Sequence, residues 1–225
     1  MFQFALPYRE AIKIAKKLAH SISTEETRYY LNGIFIHKTD GKHIAVSTDG
    51  HMLSKIELLV DDSYEGEFPS VIFPAQVVKQ IEQIKLAASE KKNAVVLISI
   101  DANALRYEID CRGQTSGGRL IDGHFPDYTR VIPADWKSFT NEYGGQGFSP
   151  LYLAAIMKAA SFNAETFKAD TRPVRMFFQG GNAAIIQETD PAVLYIIMPL
   201  RAAFPQHKHP VAQTETANDT EGAAA

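Results

Sequence analysis

Two short strings decide how this chain folds: RYYLNG at Arg28–Gly33 and STDGHML at Ser47–Leu53. In the second, Thr48, Asp49 and Gly50 carry a turn signature, because an Asp side chain can bond its own backbone and Gly tolerates positive φ. Apolar-rich runs surround both strings and predict strands near Tyr29–Lys38, His43–Ser47 and Met52–Val60. Ahead of them, a short strand at Phe2–Leu6 and a helix from about Pro7 to Ser21 complete a unit of one strand, one helix and three strands.

The same order recurs twice downstream. The second unit has a strand at Val71–Phe73, a helix from Pro74 to about Ala88, and strands near Ala94–Ile100, Ala104–Cys111 and Thr115–Leu120. The third has a helix from Pro150 to about Phe162 and strands near Val174–Gln179, Ala183–Glu188 and Val193–Met198. Each helix starts at a proline (Pro7, Pro74, Pro150), where a missing N–H costs nothing. Repeats of this kind stack on neighbours to close their cores. Beyond Arg201 the chain has few large apolar residues, and disorder is expected over 202–225.

Composition narrows the function. With 45% hydrophobic and 22% charged residues the 225-residue chain can bury a core. No apolar run reaches the length of a membrane span, and the N-terminus meets Pro7 and Arg9 too early for a secretory signal, so a cytoplasmic protein without membrane contact is expected. Cys111 is the single cysteine, which excludes an internal disulfide and a paired-cysteine metal site. No cofactor or catalytic residue is expected. GGQG at Gly144–Gly147 lacks the Lys and Ser or Thr of a phosphate loop, and His207 and His209 in the tail make a poor metal site. One enzymatic alternative stays open: His43, Asp49 and His51 as metal ligands, or as a base with its orienting group.

The net charge of -3 decides nothing; its distribution does. At about 100° per residue, Arg9, Lys13, Lys16, Lys17 and His20 share one side of the first helix, opposite Ala11, Ile12, Ile14, Ala15, Leu18 and Ala19. Such a helix packs by its apolar face and presents cations to phosphates, independent of base sequence. The second helix adds Lys79 beside acidic Glu82, and the third adds Lys158.

Two further strings answer the opening pair: IDGHFPDYTRVIP at Ile121–Pro133 and YIIMPLR at Tyr195–Arg201. Together, and with GFSPLYL at Gly147–Leu153, they resemble the bacterial replication sliding clamps, the beta subunit family of DNA polymerase III, from about Phe4 to Arg201. The resemblance implies an α+β DNA-clamp fold of three strand-helix-three-strand repeats, with helices lining a ring and antiparallel sheets outside. It implies a non-enzymatic processivity factor that encircles double-stranded DNA and binds a DNA polymerase and the clamp loader through linear peptides. The implied peptide pocket is Leu31, Thr48, Gly50, His51, Leu53, Pro126, Arg130, Val131, Ile196 and Met198, with Tyr152, Pro199, Leu200 and Arg201 as its second part. An extended peptide with an aliphatic or aromatic anchor suits such a lining. DNA contacts are expected from the first-helix cations, Arg28, Tyr29, Lys79 and Lys158.

The chain departs from the family pattern in places. Met52 stands where the family has Arg, Ser149 where it has Asn, Glu25 where a polar residue approaches DNA, and the tail runs past the usual end. Family members have three domains of two repeats, and two chains close a ring of twelve. Here residues 1–133 resemble the complete middle domain and 134–201 the second half of the last one. The resemblance therefore implies self-association: four chains make twelve repeats, and a dimer would leave a half-ring. A non-encircling adaptor or decoy that binds clamp-directed peptides is the alternative.

Overall fold

The computed structural model describes residues 1–60, 67–139, 142–143 and 147–200. The first repeat comprises β1 (Phe2–Pro7), α1 (Tyr8–Leu18), β2 (Gly33–Thr39), β3 (Lys42–Thr48) and β4 (Met52–Leu58). The second comprises β5 (Val71–Pro74), α2 (Gln76–Glu82), β6 (Val95–Asp101), β7 (Arg106–Cys111) and β8 (Gln114–Arg119). The third has β9 (Glu142–Tyr143), α3 (Pro150–Ala160), a small hairpin of β10 (Phe162–Asn163) and β11 (Lys168–Ala169), and then β12 (Arg175–Phe177), β13 (Gln179–Gly180), β14 (Ala184–Gln187) and β15 (Val193–Ile197). The structure is α+β, with the three helix-bearing repeats and mainly antiparallel sheets that the sequence predicts.

The first two repeats exchange their leading strands. β1 adds to the sheet of the second repeat, in the order β1-β6-β7-β8, and β5 adds to β2 of the first. Neither repeat can then leave without breaking a ladder in the other. The second sheet continues across the chain as β12-β14-β15-β4-β3-β2-β5, because β15 pairs antiparallel with β4, Ile196 opposite Leu53 and Ile197 opposite Met52. The third repeat is thus joined edge to edge with the first.

Both faces of this long sheet are covered, which accounts for the near-continuous burial of β3 and β15. On one face α1 packs Ala11, Ile14, Ala15 and Leu18 against Ile34, Ile36 and Ile56. On the other, the connector through Phe125, Tyr128 and Phe139 covers Leu31, Val46, Leu53, Ile185 and Ile196. A buried hydroxyl network anchors the end of α1: Ser21 Oγ lies 2.6 Å from Ser47 Oγ and 2.9 Å from Ser54 Oγ, and Ser47 donates to the Leu18 carbonyl.

Several local expectations need correction. Tyr29–Leu31 is a turn of 3-10 helix rather than the start of a strand. The second helix stops at Glu82 instead of reaching Ala88, because Gln114 of β8 takes both the Lys85 N–H and the Lys85 carbonyl, holding the chain out of the helix. Pro150 is the first residue of α3 and Pro7 directly precedes α1, whereas Pro74 ends β5. Arg201, the tail and most of the GGQG segment lie outside the described residues.

Candidate functional site

The STDG turn is built as its residue types require. Asp49 Oδ1 accepts from the backbone N–H groups of His51 and Met52 at 2.8 and 2.9 Å. Thr48 Oγ1 donates to the Met52 carbonyl and accepts from the Gly50 N–H. Gly50 has φ +90°, and a Cβ there would lie 2.5 Å from Arg28 Nη1. This glycine therefore serves two needs, backbone conformation and the close passage of a guanidinium.

Around the turn lies a cavity of about 270 Å³. Of the residues expected in it, Leu31, Thr48, Gly50, His51, Leu53, Pro126, Val131, Ile196 and Met198 line it. They come from three places: the RYYLNG turn with the β3–β4 hairpin, the connector after β8, and the strand that closes the third repeat. The Met198 N–H donates to the His51 carbonyl at 2.9 Å, tying the hairpin tip to the third repeat. Tyr152 of α3 stacks on the His51 ring at 5.6 Å between centroids and 16° between planes, so it stands beside the cavity as expected.

Other expected residues lie elsewhere. The Arg130 side chain is 84% exposed, pairs with Asp127 at 3.3 Å, and does not line the cavity. Pro199 and Leu200, expected in the second part of the groove, lie outside this cavity, and Leu200 pairs with Gly147. The walls include Met52, which the resemblance places on the pocket rim at a family Arg position, and Arg28, Tyr30, Asp127 and Tyr128, which the sequence does not assign there. All five lie within the quoted strings, beside residues assigned to the pocket, and that adjacency is the available signal. Arg28, expected at DNA, instead holds Glu25 through two bonds of 2.7 and 2.6 Å and donates to the Asp49 carbonyl. That pairing draws the Glu25 carboxyl below its usual range. Tyr29, the other DNA expectation in this string, is 53% exposed and packs edge-on against Tyr30.

The cationic face of α1 is narrower than expected. Lys13 and Lys17 are 5% and 2% exposed, whereas Arg9 and Lys16 are exposed. Lys17 Nζ sits 2.7 Å from both carboxylate oxygens of Glu188 and 3.3 Å from the Ala159 carbonyl. Lys13 Nζ meets Glu10 at 3.0 Å and Asp190 at 3.3 Å. Lys16 pairs with Glu82 at 2.6 Å. The reason for the mismatch is that the third repeat covers one flank of α1 with carboxylates, turning these two lysines into ties between repeats. Lys79 and Lys158 are exposed as expected.

His20 also supplies no charge. Its ring lies 6.0 Å from that of Tyr195, and burial pushes its pKa down to about 4. The folded state thus binds this proton less readily than the unfolded chain, whose His titrates near 6.5. Its contribution to stability is complete above pH 6.5 and is lost as pH falls from there toward 4. Discounted for partial exposure, the loss is about 1–2 kcal/mol. Urea denaturation at pH 7.5 and pH 4.5 measures it, and the pH difference is expected to shrink in His20→Gln.

The enzymatic alternative finds no geometry. Asp49 is occupied by the turn, His51 stacks on Tyr152, and His43 is buried against Phe68 at 4.7 Å. Among the described residues no group of three His, Cys, Asp or Glu side chains converges to hold a metal. Nor is any described helix long and apolar enough to cross a membrane.

Residues 5–127 match the model of the DNA polymerase III beta subunit, central domain. The chain belongs to that family, the bacterial sliding clamps. A beta sliding clamp of Caulobacter vibrioides is 32% identical over 188 residues, covering 81% of this chain and 46% of the relative. That of Rickettsia bellii is 36% identical over 135 residues, 60% of this chain and 35% of the other. The chain thus spans less than half the length of these relatives. Among solved structures, DNA polymerase III subunit beta from Borrelia burgdorferi superposes with a TM-score of 0.69 at 15% identity, covering 90% of this chain and 65% of that one. The sliding clamp of Bartonella birtlesii bound to griselimycin gives 0.66 at 22%, with 89% and 66% covered. At such identities these likenesses establish the fold. The family is non-enzymatic, and membership of it weighs against the enzymatic alternative at His43, Asp49 and His51.

Proposed function

We propose that this chain acts in the cytoplasm as a sliding clamp that encircles double-stranded DNA and holds a DNA polymerase and the clamp loader by linear peptides bound in the 270 Å³ cavity. One observation carries the proposal: the cavity closes only because β15 pairs with β4, bringing Ile196 and Met198 of the third repeat against Leu31, His51 and Leu53 of the first. An apolar floor with His51, Arg28 and Asp127 at its rim suits an extended peptide with an aliphatic or aromatic anchor and polar flanks. Residues 1–133 serve as a complete clamp domain and 134–201 as a half domain.

Ring closure then requires further copies. Within the chain, the last strands of the first and third repeats pair with one another, and β8, the last strand of the second, forms a sheet edge among the described residues. A β8–β8 contact across a twofold axis uses that edge, and a homotetramer brings the ring to twelve repeats in a closed symmetric assembly. A dimer is the lesser alternative. Light scattering measures the mass, and a stable monomer or trimer would sink the ring. Retention on nicked circular DNA, with loss upon linearisation, tests encirclement.

The buried state of Lys13 and Lys17 favours one other role, a non-encircling adaptor that captures clamp-directed peptides, because it leaves few cations for phosphate. Charge reversal at exposed Arg9, Lys16, Lys79 and Lys158 separates the two. A clamp loses retention on circles and keeps its peptide affinity, whereas an adaptor loses neither. At the cavity, Met198→Ala is expected to weaken an aliphatic-anchored peptide about tenfold, roughly 1.4 kcal/mol, by fluorescence anisotropy.

A further inference from the structure

We propose that His37 is a positioning residue for the cavity: its imidazole holds the hydroxyl of Tyr128, which lines the wall, and protonation of the ring releases that wall and weakens peptide binding. The inference rests on the peptide reading of the cavity and adds to it a dependence on pH set from outside the lining.

The connector after β8 supplies one wall of the cavity through Pro126, Asp127, Tyr128 and Val131. Backbone pairing enters it at Ile121, whose N–H donates to the Ile72 carbonyl at 2.9 Å. Further along, rings hold it to β2. Phe35 and His37 are two residues apart on that strand, so their side chains leave the same face. Their rings stack at 4.7 Å between centroids and 16° between planes, and Phe125 of the connector stacks on Phe35 at 4.9 Å and 10°. Tyr128 meets His37 edge-on at 5.7 Å, and its hydroxyl lies 2.9 Å from His37 Nε2. That bond is a polar link in an apolar attachment.

The bond has a defined direction. Burial, with Asp127 nearby, pushes the Tyr128 pKa up to about 12, so the hydroxyl keeps its proton wherever a histidine titrates. A neutral imidazole has one donor and one acceptor nitrogen. With Tyr128 donating, Nε2 accepts and the ring proton sits on Nδ1. Protonation puts a hydrogen on Nε2 as well, and the Tyr128 hydroxyl must then turn its own proton away from His37, in a residue that is 7% exposed. A buried donor without an acceptor is costly, so the wall gives up this position.

The surroundings favour the neutral ring. On the same sheet face Ile44 stands opposite His37, with Glu57 beyond it on β4, and Val46 stands opposite Phe35, with Lys55 beyond it. Lys42 of β3 holds Glu57 at 2.9 Å. On the connector, Asp127 precedes Tyr128 and is engaged by Thr129 and Arg130. Burial lowers the His37 pKa, a hydrogen bond to the Lys38 backbone opposes that shift, and the Lys55 charge adds to it. The ring is therefore neutral above its ordinary value of 6.5 and gains its proton as pH falls below it. The wall is held at neutral pH and released by acid.

Fluorescence anisotropy of a labelled, leucine-anchored extended peptide, together with NMR of the full chain, tests the inference. Wild type is expected to lose about fivefold in affinity between pH 7.5 and pH 5.5, a typical coupling between two sites. Because His51 lines the cavity itself, the profile is read against His37→Gln, which keeps His51 and offers Tyr128 an acceptor that does not titrate. His37→Ala is expected to bind about fivefold more weakly at pH 7.5, and His37→Gln to restore that affinity and lose less than about twofold at pH 5.5. In the free protein the Tyr128 ring signal is expected to follow the titration of His37, and by reciprocity bound peptide shifts that titration to lower pH. A Tyr128 signal that ignores His37 overturns the inference. If Tyr128 follows His37 but the peptide binds at no pH, the link stands and the peptide reading falls. If the peptide binds with the same pH profile in wild type and His37→Gln, the peptide reading stands and the role of His37 falls.

Discussion

Lys17→Ala is expected to destabilise the chain by about 3–5 kcal/mol, the loss typical of removing one partner from a buried ion pair. Glu188 would keep its carboxylate in a site that is 8% exposed, with the Tyr195 hydroxyl as its remaining donor. In the native protein burial raises the Glu188 pKa and lowers that of Lys17, and their mutual attraction opposes both shifts. Without Lys17 that opposition vanishes, so the folded-state pKa of Glu188 rises further above its unfolded value. A raised carboxyl pKa contributes stability at acid pH and loses it as pH rises through the folded value. The variant should therefore recover part of its stability on acidification, a direction opposite to the His20 effect. Adding Glu188→Gln to Lys17→Met removes the stranded charge while leaving an acceptor for Tyr195, and most of the loss is expected to return. Urea titrations of the single and double variants across pH measure each step. If Lys17→Ala costs less than about 1 kcal/mol, the pair is a surface pair in solution.

This pair also marks where the sequence stopped being legible. A helical wheel resolves Lys13, Lys16 and Lys17 onto one side of α1, but Glu188 and Asp190, more than 170 residues away, decide which of them reach water. One-sided sign on a helix is the same pattern for a phosphate-facing surface and for a surface covered by an acidic neighbour. By contrast the cavity was largely legible, because the STDG turn is locally determined: Asp49 and Gly50 need no distant partner to adopt their conformation. The longer strands of all three repeats were legible through their apolar runs, within a residue or two at most ends, whereas the two-residue strands β9, β10 and β11 are too short to carry an apolar run and were not. α2 was read too long because the side chain that ends it, Gln114, lies on β8. The local partners of Arg28 were hidden for a related reason. An exposed arginine in a string of tyrosines looks like a phosphate contact until Glu25 and the Asp49 carbonyl are seen to hold it over Gly50.

Gly33→Ala is the second large effect, and it concerns how the repeats are joined. Gly33 closes the RYYLNG string and pairs with Pro74 where β5 of the second repeat enters the sheet of the first. A Cβ at this position would lie 2.1 Å from the Phe73 carbonyl oxygen and 3.0 Å from Ile121 Cδ1. The first obstacle is backbone, so it cannot rotate aside as a side chain could. Relief requires β5 to move away from β2, which strains the Ala75 N–H bond to the Asn32 carbonyl at 3.0 Å. Forced repacking of about 1–3 kcal/mol and roughly one weakened hydrogen bond of about 1 kcal/mol predict a loss of about 2–4 kcal/mol. Gly181→Ala is the control, since a Cβ there meets nothing within 4 Å, and it should stay within about 0.5 kcal/mol. Because β5 is the strand by which the second repeat holds the first, Gly33→Ala should also speed amide exchange across β2 and β5 while leaving β6 and β7 protected. Uniform exchange across both sheets would mean that the two repeats unfold as one unit, and that the exchanged strands lock them more tightly than the ladder at Gly33 alone requires.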